Sequence, residues 1–138
     1  MSRRIVQLLV AAVEAGQIDL LMRNGQEYVV VDWKRIKELQ TDSRWGPLQY
    51  PLNHLPHCNY WLYSLQLNLY RFVLETEYGH QVSHMFLGIV HPSAAGPRLV
   101  SVPRLEMEIE ALVAYETDAG RAQNAQCPFF EKAANSLR

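Results

Sequence analysis

The sequence predicts an α/β domain in which a mixed β-sheet is flanked by helices. Residues 16–34 contain two apolar runs rich in β-forming residues around a tight-turn pair, as expected of a β-hairpin. Residues 60–78 carry the clearest helical pattern of the chain and are followed by Gly79, the residue preferred just after a helix. Residues 81–90 return to a strand pattern. This succession of strands, helix and strand predicts a mixed sheet.

The other predicted elements are shorter. The run from Ile5 to Glu14 is expected to form a strand that leads into the hairpin, although its apolar residues also fit a helical stripe. A turn at 91–97 is followed by a predicted strand from Arg98 to Val102 and a helix from Arg104 to Thr117. We therefore expect one domain at residues 1–118 and a partly ordered, polar C-terminal tail at residues 119–138.

A loop of unusual length separates the hairpin from the predicted long helix. Residues 41–59 include three prolines and show no periodicity. Loops of this length are usually either functional or disordered. Four aromatic side chains favour an ordered loop that faces a substrate, and they are Trp45, Tyr50, His54 and His57. Asn59, at the end of the loop, is a good candidate for the N-cap of the helix.

Composition indicates a soluble, intracellular protein of the cytoplasm or nucleus. The chain has 138 residues, is 49% apolar and carries a net charge of −1, which suits one globular domain with a substantial core. Cys58 and Cys127 are far apart, so we expect free thiols rather than a disulfide framework. The N-terminal apolar run is too short to span a bilayer, and we expect no membrane partner.

Three charged residues lie on the predicted hairpin: Asp19, Asp32 and Lys34. A two-residue loop at Asn24-Gly25 places Asp19 opposite Val30, with Asp32 as its diagonal neighbour on the same face. A four-residue loop places Asp19 directly opposite Asp32, and a three-residue loop without a compensating bulge separates them. Lys34 shares the face of Asp32. The opposite face is expected to enter the core, and its residues are Val29, Val31 and Trp33.

Two carboxylates on one face repel each other unless a cation lies between them. Carboxylate oxygens suit Mg²⁺ or Mn²⁺, which bind through one or two carboxylates together with waters and a phosphate. The two strands of the hairpin therefore predict a divalent metal site at Asp19 and Asp32. If the hairpin register separates the two residues, an unrelated α/β domain whose carboxylates pair with Arg35 or Lys34 is the better interpretation.

A second pattern lies on the predicted helix. Gln66 and Tyr70 are four residues apart and share one face, and Tyr63 lies one turn earlier. The run Gly-x-Ile-Asp-Leu-Leu, then Val-Val-Asp-Trp-Lys-Arg, then Gln-x-x-x-Tyr resembles the PD-(D/E)XK nuclease superfamily, and in particular its RecB-like exonuclease branch. The resemblance covers about residues 16–90 and implies a restriction-endonuclease-like core.

The resemblance also implies roles for the residues of the motifs. Asp19 and Asp32 would hold Mg²⁺ or Mn²⁺ with the backbone carbonyl of Trp33, and Lys34 would position the attacking water. Gln66 and Tyr70 would orient the substrate. RecB-like nucleases usually carry a His or Glu on a helix upstream of the first Asp. Glu14 is the one nearby acid, and it faces away from Asp19 unless a bulge at Gly16 turns it inward.

A basic cluster follows the hairpin at Arg35, Lys37 and Arg44, and Trp45 offers a ring on which an unpaired base could stack. The acidic residues gather instead in the last predicted helix, so the charge is either segregated for DNA binding or spread over two solvated helix faces. We expect a Mg²⁺- or Mn²⁺-dependent deoxyribonuclease, which could be one domain of a longer protein or complex. The alternative is a non-catalytic nucleic-acid-binding or scaffolding module with an incomplete site.

Overall fold

The computed structural model describes residues 18–43 and 45–121. Its elements are β1 (Leu20–Asn24), β2 (Glu27–Arg35), α1 (Asn59–Glu77), β3 (Gln81–Val90), β4 (Arg98–Ser101) and α2 (Glu106–Arg121). The strands form one sheet in the order β1-β2-β3-β4, with β2 and β3 parallel at its centre and antiparallel strands at both edges. The predicted α/β class with a mixed sheet is confirmed. The predicted N-terminal strand, Glu14, Arg44 and residues 122–138 lie outside the described residues.

The turn of the β1–β2 hairpin lies one residue later than predicted. Asn24 pairs with Glu27, so Gly25 and Gln26 are the two central residues, and Gly25 takes a φ of 64°. A glycine accepts this left-handed conformation without steric cost, which is why it can begin the turn. Leu20 pairs with Val31. The next position, Asp19, is therefore opposite Asp32, the register that the sequence allowed only for a longer loop.

Helix α1 begins and ends one residue earlier than predicted, and Gly79 follows its C-cap as expected. Tyr78 is its C-cap and Gly79 follows with a φ of 65°. Asn59 does not cap the helix: its Oδ1 accepts the Gln40 N–H at 2.7 Å and its Nδ2 donates to the Glu38 carbonyl at 3.1 Å. These bonds fasten the start of the long loop to α1. Among the described residues, no helix combines the length and apolar character needed to cross a bilayer.

Helix α1 is apolar on two sides because it packs against two partners. One side packs on the sheet through Leu67, Tyr70 and Leu74, which contact core residues of β2 and β3. The other side packs on α2 and on the long loop, and the buried residues of this second cluster are Leu48, Leu52, Leu55, Leu65, Leu69, Val73, Leu105, Ile109 and Leu112. The loop is thus held by three buried leucines, and its Leu48 N–H donates to the Leu55 carbonyl at 2.9 Å.

A buried asparagine joins α1 to the segment before α2. Asn68 is fully buried, and its Nδ2 donates to the Ser64 carbonyl at 2.8 Å and to the Pro103 carbonyl at 3.0 Å. Its Oδ1 accepts the Leu105 N–H at 2.8 Å. Because a buried amide is costly unless it is hydrogen-bonded, these contacts hold the entry of α2 in one place.

The core side of β2 is the reverse of the prediction. Val30 and Asp32 lie on the face covered by α1 and are 0% and 3% exposed, whereas Trp33 on the other face is 42% exposed. Val31 is also buried. Both faces of β2 carry apolar residues, so the alternation along the strand did not decide which face α1 would cover. The charged face is consequently the face that is desolvated.

The ring of Trp33 lies directly over Gly88, its register partner on β3. A Cβ atom built on Gly88 would overlap the six-membered part of the indole. A strand interior normally disfavours glycine, so this position is explained by the close approach of the ring.

We predict that Gly88→Ala lowers the free energy of unfolding by about 1–3 kcal/mol, because the added methyl group overpacks the Trp33 ring. The loss should shrink when Trp33 is also changed to Ala. Gly96→Ala is the matched control, since nothing lies within 4 Å of its Cβ position. Urea unfolding measures both; an unchanged stability of Gly88→Ala would contradict this account of the contact.

Candidate active site

Asp32 is a buried carboxylate on the central part of the sheet. Its register partner on β3 is Leu87, which is fully buried, and α1 covers the same face. Burial raises the pKa of Asp32 to about 6, the contact with the Lys34 ammonium opposes that rise, and the neighbouring Asp19 carboxylate adds to it. The carboxylate is therefore held in an environment that disfavours its charge.

Asp19 is exposed and stands immediately before β1. Its Oδ2 accepts the backbone N–H of Trp33 at 2.8 Å. Since β1 begins at Leu20, this side-chain bond takes the place of the next backbone bond of the ladder. It fixes the Asp19 carboxylate beside Asp32, close enough for its charge to raise the pKa of Asp32.

The backbone carbonyl of Trp33 belongs to the same corner of the sheet. The N–H of Trp33 is directed towards Asp19, and the N–H and C=O of one strand residue face the same neighbouring strand. The carbonyl therefore faces the edge where β1 has ended. This is the edge at which the Asp19 side chain meets the backbone of Trp33.

Lys34 connects the carboxylates to α1. Its Nζ lies 2.7 Å from Asp32 Oδ2, donates to Gln66 Oε1 at 3.2 Å and stands 4.7 Å from the centre of the Tyr63 ring. Gln66 Nε2 in turn donates to the Tyr70 hydroxyl at 2.8 Å. The Lys34 side chain is 15% exposed, so its ammonium is largely withdrawn from water.

Tyr70 closes this chain of contacts from inside the core. It is 1% exposed, and burial raises its pKa to about 12, with the hydrogen bond from Gln66 opposing the rise. The phenol therefore stays neutral across the physiological pH range. The structure thus brings together five of the residues singled out from the sequence, and they are Asp19, Asp32, Lys34, Gln66 and Tyr70.

The remaining residues singled out from the sequence are not part of this cluster. Arg35 ends β2 on the face opposite Lys34, because side chains alternate along a strand. Arg35 and Lys37 are exposed, and Trp45 is 84% exposed. Glu14 and Arg44 lie outside the described residues.

Sequence reasoning placed Tyr63 on the helix face of Gln66 and Tyr70 but gave it no role. The sequence feature that pointed to Tyr63 was its spacing, three residues before Gln66 and seven before Tyr70, which brings the side chains to one side of a helix. Its contact with Lys34 depends on how α1 lies across the sheet, which the spacing does not reveal.

The donor set at this corner fits a hard divalent cation that keeps several waters. Within residues 18–43 and 45–121, no group of three or more His, Cys, Asp or Glu side chains is placed to hold a metal ion. The fit therefore rests on the two converging carboxylates and the Trp33 carbonyl. Asp32 Oδ2 supports it, since this buried atom has the Lys34 ion pair but no hydrogen bond of good geometry among the described residues.

Comparison with models of known protein families shows to which family this chain belongs. The family model of the PD-(D/E)XK nuclease superfamily matches residues 3–135. The chain belongs to this superfamily. Searches of the curated proteins and of the solved structures found no match. Members of the PD-(D/E)XK superfamily are generally nucleases that use divalent metals, and the mixed sheet with two helices is consistent with their restriction-endonuclease-like core.

We predict that Asp32→Asn stabilises the protein at neutral pH by up to about 3 kcal/mol. The pKa of Asp32 in the folded protein, about 6, lies above its ordinary value of 3.8, so the folded state binds this proton more tightly than the unfolded state. The loss of stability caused by ionisation of Asp32 is therefore absent below about pH 4. It grows as the pH rises to 6 and stays constant above that pH.

Urea unfolding of both proteins between pH 4 and pH 8 measures this difference. Glu27→Gln is the control, because Glu27 is an exposed carboxylate on the same strand. A stability gain of Asp32→Asn that is as large at pH 4 as at pH 8 would show that the effect does not come from ionisation.

Proposed function

We propose that this protein is a Mg²⁺- or Mn²⁺-dependent nuclease of the RecB-like exonuclease kind that hydrolyses phosphodiester bonds of DNA. The observation that carries the proposal is the convergence of Asp19, Asp32 and Lys34 from the hairpin with Gln66 from α1. In a chain of the PD-(D/E)XK superfamily, this convergence supports assigning these residues to a hydrolytic site.

Asp19 and Asp32 would hold the metal together with the Trp33 carbonyl, and Glu14 is a further candidate ligand. When bound, the metal lowers the pKa of a coordinated water and offsets the charge of the phosphate. The two carboxylates supply the negative charge that attracts it. Burial is the main cause of the raised pKa of Asp32, and Asp19 adds a smaller part; a bound cation would offset the repulsion between the two carboxylates.

Lys34 would position the attacking water and stabilise the charge that develops on the phosphate. An ammonium group has three N–H donors. One donates to Gln66, and the ammonium is paired with the Asp32 carboxylate, so at least one N–H remains for the reacting groups. The low exposure of the side chain strengthens its electrostatic effect on them.

Gln66 and Tyr70 would hold this arrangement in register and orient the substrate. Because Gln66 Oε1 accepts from Lys34, its Nε2 is directed at the Tyr70 hydroxyl. If the amide turned over, its N–H donors would face the Lys34 ammonium, which has no acceptor, and the bond from Lys34 would be lost. Misplacement of a reacting group by about 1 Å can lower a rate by about 100-fold, so this rigidity has catalytic value.

DNA would be bound outside the cluster by Arg35, Lys37, Arg44 and Trp45. The exposed Trp45 ring can stack on an unpaired base, which favours single strands or frayed ends. Arg35 and Lys37 would contact phosphates other than the one that reacts. These basic residues are few, and the chain as a whole carries a net charge of −1.

The second candidate is a DNA-binding module that has lost catalysis. The observation in its favour is that two carboxylates, rather than three or more acidic, Cys or His ligands, are grouped in the part of the chain that the structure describes. The two candidates differ in whether the protein binds Mn²⁺ and cleaves DNA.

We predict Mn²⁺-dependent cleavage of DNA by the parental protein and none above background by Asp32→Ala, since one of the two converging carboxylates is lost. Lys34→Ala should lower turnover by about 10²–10³-fold while its Mn²⁺ affinity is kept or increased, because a competing cation is removed. Cleavage of an end-labelled oligonucleotide and calorimetric titration with Mn²⁺ measure the two effects.

Glu27→Ala is the control and should cleave as the parental protein does. Circular dichroism confirms that each variant is folded. DNA binding without Mn²⁺ binding or cleavage would identify the non-catalytic module, and parental turnover of Lys34→Ala would refute the role given to the lysine.

A further inference from the structure

Tyr63 faces the Lys34 ammonium from α1, and the cluster described above gives it no part in catalysis. The ring centre is 4.7 Å from Lys34 Nζ. The side chain is half-buried and packs against the sheet-side core that contains Tyr70. The Tyr63 hydroxyl makes no hydrogen bond among the described residues. Its ring, rather than its hydroxyl, is therefore the part that meets the site.

An aromatic ring attracts a cation through its quadrupole, and this attraction is less directional than a hydrogen bond to a carboxylate or a carbonyl. This difference matters at Lys34, whose ammonium already meets Asp32 and Gln66. A third strong acceptor would take up a further N–H and hold the ammonium away from the substrate. The less directional attraction of the ring holds the cation in place and still lets an N–H turn to the reacting groups.

We propose that Tyr63 is a positioning residue that holds the Lys34 ammonium against Asp32 and Gln66 through its ring face. This proposal rests on the proposed nuclease function, in which Lys34 acts on the water and the phosphate. Tyr63 would act through Lys34 and would not touch the substrate. Its removal should therefore lower turnover and leave the affinity for DNA unchanged.

The matched control is Tyr60, which lies one turn earlier on the same helix. Tyr60 is also half-buried and packs against the same sheet-side core, but its ring contacts Trp61 and its hydroxyl donates to the Ser101 carbonyl. Replacing either tyrosine by leucine removes similar packing. A purely structural role of Tyr63 would therefore give the two leucine variants similar behaviour.

The first experiment compares Tyr63→Leu, Tyr63→Phe and Tyr60→Leu in Mn²⁺-dependent cleavage. Tyr63→Leu should lower kcat about tenfold with unchanged KM, as expected for the loss of a partly buried cation–ring contact. Tyr63→Phe keeps the ring and should stay within about threefold of the parental kcat. Tyr60→Leu should also stay close to it. Equal losses in Tyr63→Phe and Tyr63→Leu, or parental turnover of Tyr63→Leu, would overturn the proposal.

The second experiment does not depend on the folding of a leucine variant. Phenylalanine and its mono-, di- and trifluorinated forms are placed at position 63, which weakens the ring quadrupole in steps at nearly constant shape. We expect kcat to fall with each fluorine added. The same kcat throughout the series would show that the ring only fills space, and would overturn the proposal.

A third measurement separates this proposal from the proposed function. The NMR signals of the Lys34 ε-methylene group should carry an upfield ring-current shift in the parental protein and in Tyr63→Phe. The shift should be absent in Tyr63→Leu and present in Tyr60→Leu. If the protein proves to cleave no DNA, the proposed function fails, and this shift still decides whether Tyr63 holds the ammonium. Its absence from the parental protein would overturn that placement.

Discussion

The burial of one carboxylate beside one ammonium is the constraint on which the rest of the structure depends. Asp32 and Lys34 occupy alternate positions of a central strand, on the face that α1 covers. Taking such a pair out of water is costly, and the attraction between the two groups repays the cost only in part. The part of the desolvation cost that the ion pair does not offset is seen in the raised pKa of Asp32. A fold kept for stability alone would place apolar residues here, so the pair points to function.

The elements around this pair each control one of its neighbours. The short β1 ends before Asp19, which frees the Asp19 carboxylate to accept the Trp33 N–H and to stand beside Asp32. Helix α1 packs on the sheet with one side and on α2 and the long loop with the other. That double packing fixes its rotation, and the rotation brings Gln66 to Lys34. The apolar packing between α1, α2 and the long loop therefore contributes to the site, although none of its residues belongs to the active-site cluster.

The sequence allowed the local elements to be predicted better than their assembly. The bounds of β3 and the position of Gly79 just after the C-cap of α1 follow from local patterns and are confirmed. The predicted hairpin register was wrong, because the turn begins at Gly25 rather than at Asn24. The buried face of β2 was also predicted wrongly, because both faces of this strand carry apolar residues. The roles of Tyr63 and Asn68 depend on contacts across the fold, which spacing along one helix cannot reveal.

The central claim is that Asp19 and Asp32 converge to hold a divalent cation. An anomalous difference map from crystals soaked in Mn²⁺ tests it most directly, because it locates the metal independently of activity. The account predicts a peak within about 2–2.5 Å of an oxygen of each carboxylate, with the Trp33 carbonyl as a further ligand. A map without a peak at this corner, in crystals whose Lys34 ammonium still pairs with Asp32 at saturating Mn²⁺, would contradict it.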